Sequence, residues 1–217
     1  MIAGGAARPA LSLVDHLVYA VPHLDSAIAS LEKRLGIRPA AGGRHEGRGT
    51  RNALIGLGDR VYLEILGPDP EALAPDRPRW FGVDRLVAPR LAGWAAAGKD
   101  LEALVESAGR DGVELGAVSE GSRRQADGVL LSWLLTEPAP PPGDRILPFF
   151  IDWGDSPHPA EAAPRGATLV GFRAEHPDPT KIGKMLAAVG VALDVRAAAT
   201  PELVAELDTP RGRVELR

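Results

Sequence analysis

The chain has 217 residues, of which 45% are hydrophobic and 25% charged, and its formal net charge is -4 at pH 7. This balance is typical of a globular protein, and a pI near 5.8 argues against nucleic acid or an anionic membrane as a partner. The chain has no cysteine, which excludes disulfides and thiolate chemistry and is compatible with the cytoplasmic location that we expect.

Residues 1–10 are small and lack the basic start and long apolar region of a signal peptide, so we expect a flexible tail. No uncharged apolar run approaches the roughly 20 residues that a membrane helix needs. We therefore expect no membrane partner.

Three segments of the chain share one pattern: an apolar strand, a short connection, an aspartate suited to cap a helix, and an amphipathic helix. The aspartates are Asp25, Asp100 and Asp178, at nearly equal spacing. An aspartate at this position accepts hydrogen bonds from the free amides of the first helical turn. The recurrence predicts one supersecondary unit written three times.

The first unit, residues 11–70, is predicted to contain a strand, a helix and three further strands. The helix has apolar side chains at helical spacing and ends at Gly36. A loop rich in Gly and Arg follows at 42–49, and a hairpin is predicted from strands 50–57 and 60–66.

The second unit, residues 86–157, repeats this plan. We predict a helix at 100–108, and strands at 113–119, 129–136 and 147–153. The proline-rich segment 137–144 is predicted to be a stiff loop, because proline donates no hydrogen bond to a strand ladder.

Residues 158–167 are the predicted linker, and 168–217 the third, short unit with a helix at 178–189. An odd number of units leaves one without a partner in the chain. The third unit either extends the sheet of the first two or pairs across a homodimer, which we favour because an exposed sheet edge is a liability.

The sequence resembles the vicinal oxygen chelate superfamily in its first strand (15–21), its helix opening (24–28) and its hairpin end (62–68). That superfamily includes glyoxalase I, extradiol dioxygenases, epimerases and bleomycin-resistance proteins, and the resemblance is greatest to its glyoxalase-like domain proteins, over 11–157. It implies an α+β fold in which repeated βαβββ units form a half-open curved sheet around a cavity, with the helices on the outer face.

The resemblance also implies that His16 and Glu64 are ligands of a divalent metal ion, such as Zn, Mg, Mn, Ni or Fe. Strand alternation agrees, because it places both residues on the concave face together with Thr50, Asn52 and Tyr62. The sequence therefore predicts a polar cluster, with Thr50, Asn52 and Tyr62 as substrate contacts, on a surface that is otherwise apolar.

The other two units depart from the family pattern. The positions that match the two ligands hold Leu91 and Ile151 in the second unit, and Leu169 and Glu215 in the third. A catalytic metal generally has three protein ligands, although Mg²⁺ is held by fewer groups with waters completing its shell. The missing second histidine argues against ring-cleaving iron chemistry.

Further candidates lie outside the first strand. We assign catalytic roles to Glu64 and to His45, whose loop could close over the cavity, and substrate contacts to Arg44 and Trp153. His158 is interpreted as an exposed loop histidine, with a third ligand or a general base as the alternatives.

Two functions follow from these residues. The first is a metal-assisted enzyme of lyase or isomerase type acting on a small molecule with vicinal oxygens; dioxygenase chemistry fits less well. The alternative is a small-molecule binding protein without catalysis, like the drug-sequestering members of the superfamily, which the missing second-unit ligands favour.

Overall fold

The structure is a computed structural model that describes residues 7–45, 47–73, 78–124, 128–138 and 145–217. Residues 1–6 of the predicted tail and 139–144 of the predicted loop lie outside the described residues. The α-helices are α1 (Leu24–Leu35), α2 (Leu101–Arg110) and α3 (Pro179–Ala188). The strands are β1 (Arg8–Pro9), β2 (Val14–Ala20), β3 (Ala40–His45), β4 (Thr50–Gly58), β5 (Val61–Pro68), β6 (Arg90–Ala97), β7 (Val118–Arg124), β8 (Leu130–Thr136), β9 (Phe149–Asp152), β10 (Thr168–His176), β11 (Val191–Ala192), β12 (Asp194–Ala197), β13 (Glu202–Thr209) and β14 (Gly212–Leu216).

The first two units form one eight-stranded sheet in the order β3-β4-β5-β2-β6-β9-β8-β7. The units join where β2 pairs antiparallel with β6. The sheet curves until its two edge strands meet, and Arg123 of β7 donates a hydrogen bond to the carbonyl of Gly42 on β3. The predicted α+β fold with a curved sheet of repeated units is confirmed.

Strand alternation gives the curved sheet two apolar faces, as predicted. On β2, Leu17 and Tyr19 join the larger core, which also buries the apolar sides of α1 and α2. Val18 and Ala20 point to the concave side, where they join a smaller cluster that includes Trp133 and Trp153. The concave interior is therefore lined by the side chains that the alternation assigns to it.

The third unit forms its own sheet in the order β12-β10-β13-β14, so the alternative in which it extends the large sheet is wrong. It lies against the outer face of the large sheet, where the rings of Trp94 and Phe172 meet edge to face at 5.1 Å. The homodimer stays a prediction. Among the described residues, no helix is long and apolar enough to cross a membrane.

Of the three predicted aspartate caps, Asp25 is at the wrong position, and Asp100 is the N-cap residue but lacks the predicted side-chain bond. The cap of α1 is His23, while Asp25 sits in the first turn and pairs with Arg51 at 2.8 Å. Asp100 precedes α2 without a side-chain bond to the helix. Only Asp178 caps as predicted, accepting from the backbone amide of Lys181 at 2.9 Å.

Two strand predictions also differ from the structure. The predicted strand at 113–119 begins only at Val118, and residues 42–45 of the predicted loop belong to β3. Gly42 explains the second difference, since a Cβ there would lie 2.2 Å from the Asn52 side-chain oxygen. The glycine thus lets β3 pack closely over a polar side chain rather than form a loop.

Candidate functional site

Two adjacent polar residues of β2, Asp15 and His16, are buried together. Simple alternation places Asp15 on the face opposite His16, yet its Oδ1 lies 2.8 Å from His16 Nδ1. The pairing of β2 with β6 shifts register between Val14 and His16. Such an irregularity re-aims side chains, which brings both groups into the concave interior.

Asp15 accepts hydrogen bonds from three side chains. His158 Nε2 lies 3.0 Å from Oδ2, and the indole of Trp153 donates to the same oxygen at 3.1 Å. Because His158 Nδ1 accepts from the amide of Ala160 at 3.2 Å, its Nε2 carries the proton. Burial raises the pKa of Asp15, but hydrogen bonds from His158 and His16 outweigh it and lower the pKa to about 2.

The ionised Asp15 fixes the orientation of the His16 ring. His16 donates its Nδ1 proton to the carboxylate, which directs Nε2 into the interior. There His16 Nε2 lies 3.8 Å from Glu64 Oε2. A carboxylate that orients an imidazole in this way is a common feature of metal centres and of acid–base sites.

Glu64 is the second centre of the cluster and is 8% exposed. Its Oε1 accepts a hydrogen bond from the Asn52 amide at 2.5 Å and lies 3.7 Å from His45 Nε2. The Thr50 hydroxyl lies 2.9 Å from His45 Nδ1. Neighbouring strands thus bring together residues that are far apart in sequence.

Burial sets the protonation of two further groups. It lowers the pKa of His45, although Glu64 opposes this, so the imidazole is neutral at pH 7. It also raises the pKa of Tyr62 well above its ordinary value, so the phenol stays protonated. The Tyr62 ring stacks on His16 with the ring centroids 4.6 Å apart.

The remaining candidates lie in different places. Arg44 is half-exposed and pairs with Glu71 and with Asp69, at the outside of the cluster. Trp153 lies in the concave interior, where its indole donates a hydrogen bond to Asp15. The prediction of an exposed His158 is wrong, since the residue is 2% exposed.

Sequence reasoning missed two residues of the interior, Asp15 and Arg123. The signal for Asp15 was present, because a carboxylate inside an apolar strand is costly unless it is paired. Arg123 gave no signal, since only closure of the sheet brings β7 against β3.

Among the residues that the structure describes, the candidate metal donors lie in the first unit. Within the described residues, no group of three or more His, Asp or Glu side chains is arranged to hold a metal ion. The side chains that the second unit places near these donors are apolar. Ile151 belongs to the concave cluster, and the Phe149 ring lies 5.4 Å from the His16 ring. Of the described residues, His16 and Glu64 fit two positions of a metal shell, because Nε2 and Oε2 lie 3.8 Å apart and Asp15 orients the His16 ring.

The nearly closed sheet of paired units, with a polar cluster inside it, defines a protein of the vicinal oxygen chelate superfamily. Within that superfamily the chain belongs to the glyoxalase-like domain family, which it matches over residues 14–190. No curated protein matches the chain.

Solved structures share the fold at low identity. A hypothetical protein from Staphylococcus aureus has a TM-score of 0.70 at 13% identity, covering 94% of this chain and 98% of that one. A variant of 4-hydroxymandelate synthase from Streptomyces coelicolor has a TM-score of 0.51 at 15% identity, covering 98% of this chain and 63% of that one. Methylmalonyl-CoA epimerase from Mycobacterium tuberculosis has a TM-score of 0.44 at 20% identity, covering 69% of this chain and 93% of that one. At these identities the likeness concerns the fold alone.

Proposed function

We propose that the protein is an enzyme of lyase or isomerase type that moves a proton on a small molecule with vicinal oxygens, assisted by a divalent metal ion. The observation that supports this most directly is the convergence of His16, His45 and Glu64 in the buried interior. Ionisable groups are costly there unless they interact with one another or with a ligand.

His16 Nε2 and Glu64 Oε2 would hold the ion, and water and substrate would complete its shell. The ion supplies Lewis-acid stabilisation of developing negative charge on a substrate oxygen. Asp15 keeps the proton on His16 Nδ1, so the Nε2 lone pair stays available. Asn52 holds Glu64 in place through its bond to Oε1.

His45 is the proposed acid–base group. Burial lowers the pKa of His45, so the imidazole is neutral and can accept a proton at Nε2 and then return it. Thr50 anchors the opposite ring nitrogen, while the rings of Tyr62 and Trp153 exclude water from the interior. Thr50, Asn52, Tyr62 and Trp153, with Arg44 outside the cluster, are the proposed substrate contacts.

Deuterium exchange tests the proton transfer. In D₂O, a panel of small hydroxycarbonyl compounds is followed by NMR for exchange of the proton next to the carbonyl. We expect exchange with the parent protein, a loss of about 100-fold or more in His45→Gln, and no change in the exposed control His23→Gln. Equal rates in both variants would refute the role of His45.

Metal content tests the metal. Protein purified without chelator is analysed for divalent metals, and the same is done for His16→Ala. We expect stoichiometric metal in the parent protein and its loss in the variant. No stoichiometric metal, including after loading with Zn, Mn, Ni, Fe or Mg, would remove the metal from the proposal.

The second candidate function is binding without catalysis. Trp133 and Trp153 lie 5.1 Å apart in the concave cluster, which would suit a flat apolar ligand. Tight binding of such a ligand, unchanged in His16→Ala and unaccompanied by proton exchange, would favour this function over the enzyme.

A further inference from the structure

Arg123 is a buried cation that the proposed chemistry does not use. It is 3% exposed, and one guanidinium nitrogen donates to the carbonyl of Gly42. Among the described carboxylates, none forms an ion pair with it. The buried carboxylates of this interior, Asp15 and Glu64, form no ion pair with Arg123, so we expect the carboxylate of a ligand to bind the guanidinium directly.

The guanidinium faces the polar cluster. A Cβ on Gly42 would lie 3.1 Å from Arg123 Nη1 and 2.2 Å from Asn52 Oδ1, so the two atoms flank the same point. The charge of Arg123 is also among the influences on the pKa of His45. Arg123 therefore belongs to the same interior as His45 and Asn52.

Two buried polar atoms of this interior have no hydrogen-bond partner among the described residues. They are Asn52 Oδ1, an acceptor, and Trp133 Nε1, a donor. Trp133 lies over Gly121, two residues before Arg123 on the same strand, where a Cβ would be 2.4 Å from Nε1. Buried polar atoms are nearly always bonded, so such orphans indicate groups that a ligand or water satisfies.

We propose that the substrate is a small monocarboxylate that carries a hydroxyl group, with Arg123 binding its carboxylate. This inference rests on the proposed function, because it names the class of substrate for that same site. The guanidinium fork matches a planar carboxylate, Trp133 donates to an oxygen, and Asn52 Oδ1 accepts from the hydroxyl. Glu64 in the same interior repels a dianion, which disfavours a phosphate ester.

Direct binding tests the proposal without turnover. Glycolate and L-lactate are titrated into the whole protein by calorimetry, beside inorganic phosphate and uncharged 1,2-propanediol. We expect the two carboxylates to bind and the other two to bind at least about tenfold more weakly. Arg123→Met should weaken carboxylate binding about 10- to 100-fold, while the exposed control Arg60→Met leaves it unchanged.

Because Arg123 joins the two edges of the sheet, its replacement also affects folding, and a second variant is needed. Trp133→Phe removes the indole N–H while keeping an aromatic ring in the concave cluster, and should weaken lactate binding about 3- to 10-fold. Binding that survives both variants, or phosphate that binds as tightly as lactate, would overturn the inference. Carboxylate binding without proton exchange would refute the proposed function alone, and exchange confined to uncharged compounds would refute this inference alone.

Discussion

Asp15 is the residue on which the geometry of the interior most depends. It is a buried carboxylate that accepts from His16, His158 and Trp153 at once. In Asp15→Asn the amide keeps the shape but turns an N–H toward groups that are themselves donors. We expect a loss of about 2–4 kcal/mol in the free energy of unfolding, measured by urea denaturation.

The matched control is Asp152→Asn. Asp152 pairs with Lys99 at 2.5 Å, but the lysine is 77% exposed, so the pair is screened by water. We expect the free energy of unfolding of this variant to change by less than about 1 kcal/mol. Similar losses of unfolding free energy in the two variants would mean that the hydrogen bonds of Asp15 do not stabilise the interior.

Strand alternation predicted residues of the site only where a strand is regular, while His45 was assigned from a predicted loop and lies at the end of β3. His16 and Glu64 were predictable because alternation and the family motif agree on their face. Asp15 carried a signal as a carboxylate inside an apolar strand, but alternation assigned it to the wrong face, since an irregular pairing with β6 turns it inward. The contact of Asp15 with His158 joins positions 143 residues apart, and no local pattern carries that information.

Among the elements, the short 3₁₀ segment Trp80–Arg85 covers the concave face at β6. Phe81 adopts a left-handed backbone (φ 55°), and its ring lies over Gly93. A Cβ on Gly93 would be 2.6 Å from that ring. We expect Gly93→Ala to reduce the free energy of unfolding by about 1–3 kcal/mol in urea denaturation, because the aromatic ring has to move.

The same exchange at Gly109, which has nothing within 4 Å of its Cβ position on α2, serves as the control. At Gly109 alanine has a higher helix propensity than glycine, so the exchange should raise the free energy of unfolding by up to about 1 kcal/mol. A neutral Gly93→Ala would show that the 3₁₀ segment is not packed against β6.

Glu137, at the end of β8, links this segment to the rest of the sheet. It accepts hydrogen bonds from Ser119 and from the indole of Trp80, and it pairs with Arg48. Burial raises the pKa of Glu137, but these bonds outweigh burial and lower it. The folded state therefore binds this proton less readily than the unfolded state does.

The stability that Glu137 contributes is present above its unfolded pKa of about 4.3 and is lost as the pH falls through the lower folded value. The difference in unfolding free energy between the parent protein and Glu137→Gln should be constant above pH ~5 and shrink below pH ~4. The exposed Glu120→Gln of β7 should show a much smaller change with pH. A difference that grows on acidification would contradict the pKa direction.

Elements with strong local signals were predictable, and those set by tertiary contacts were not. Helix α1 ends at Gly36 in a left-handed conformation (φ 76°), as the sequence indicates. The start of β7 was predicted too early. Apolar residues before Val118 favour a strand, but the pairing of β7 with β8 begins only at Val118.

At the scale of the whole molecule, the repeat predicted three units but not how they pack. The first two share a sheet, whereas the third covers its outer face with side chains that join the same core as α1 and α2. Nothing in a repeat specifies which face a leftover unit covers. That choice depends on contacts such as Trp94 with Phe172.

A shared core predicts one cooperative unfolding transition for the described units, because none of them buries its apolar surface alone. Phe172→Ala should therefore lower the stability of the whole molecule by about 2–4 kcal/mol and shift circular dichroism and tryptophan fluorescence together. Val170→Ala on the same strand is the control, since Val170 is 36% exposed and should change stability by less than about 1 kcal/mol. If Phe172→Ala separates the two signals, with fluorescence unchanged while part of the circular dichroism is lost early, the third unit folds as an independent domain.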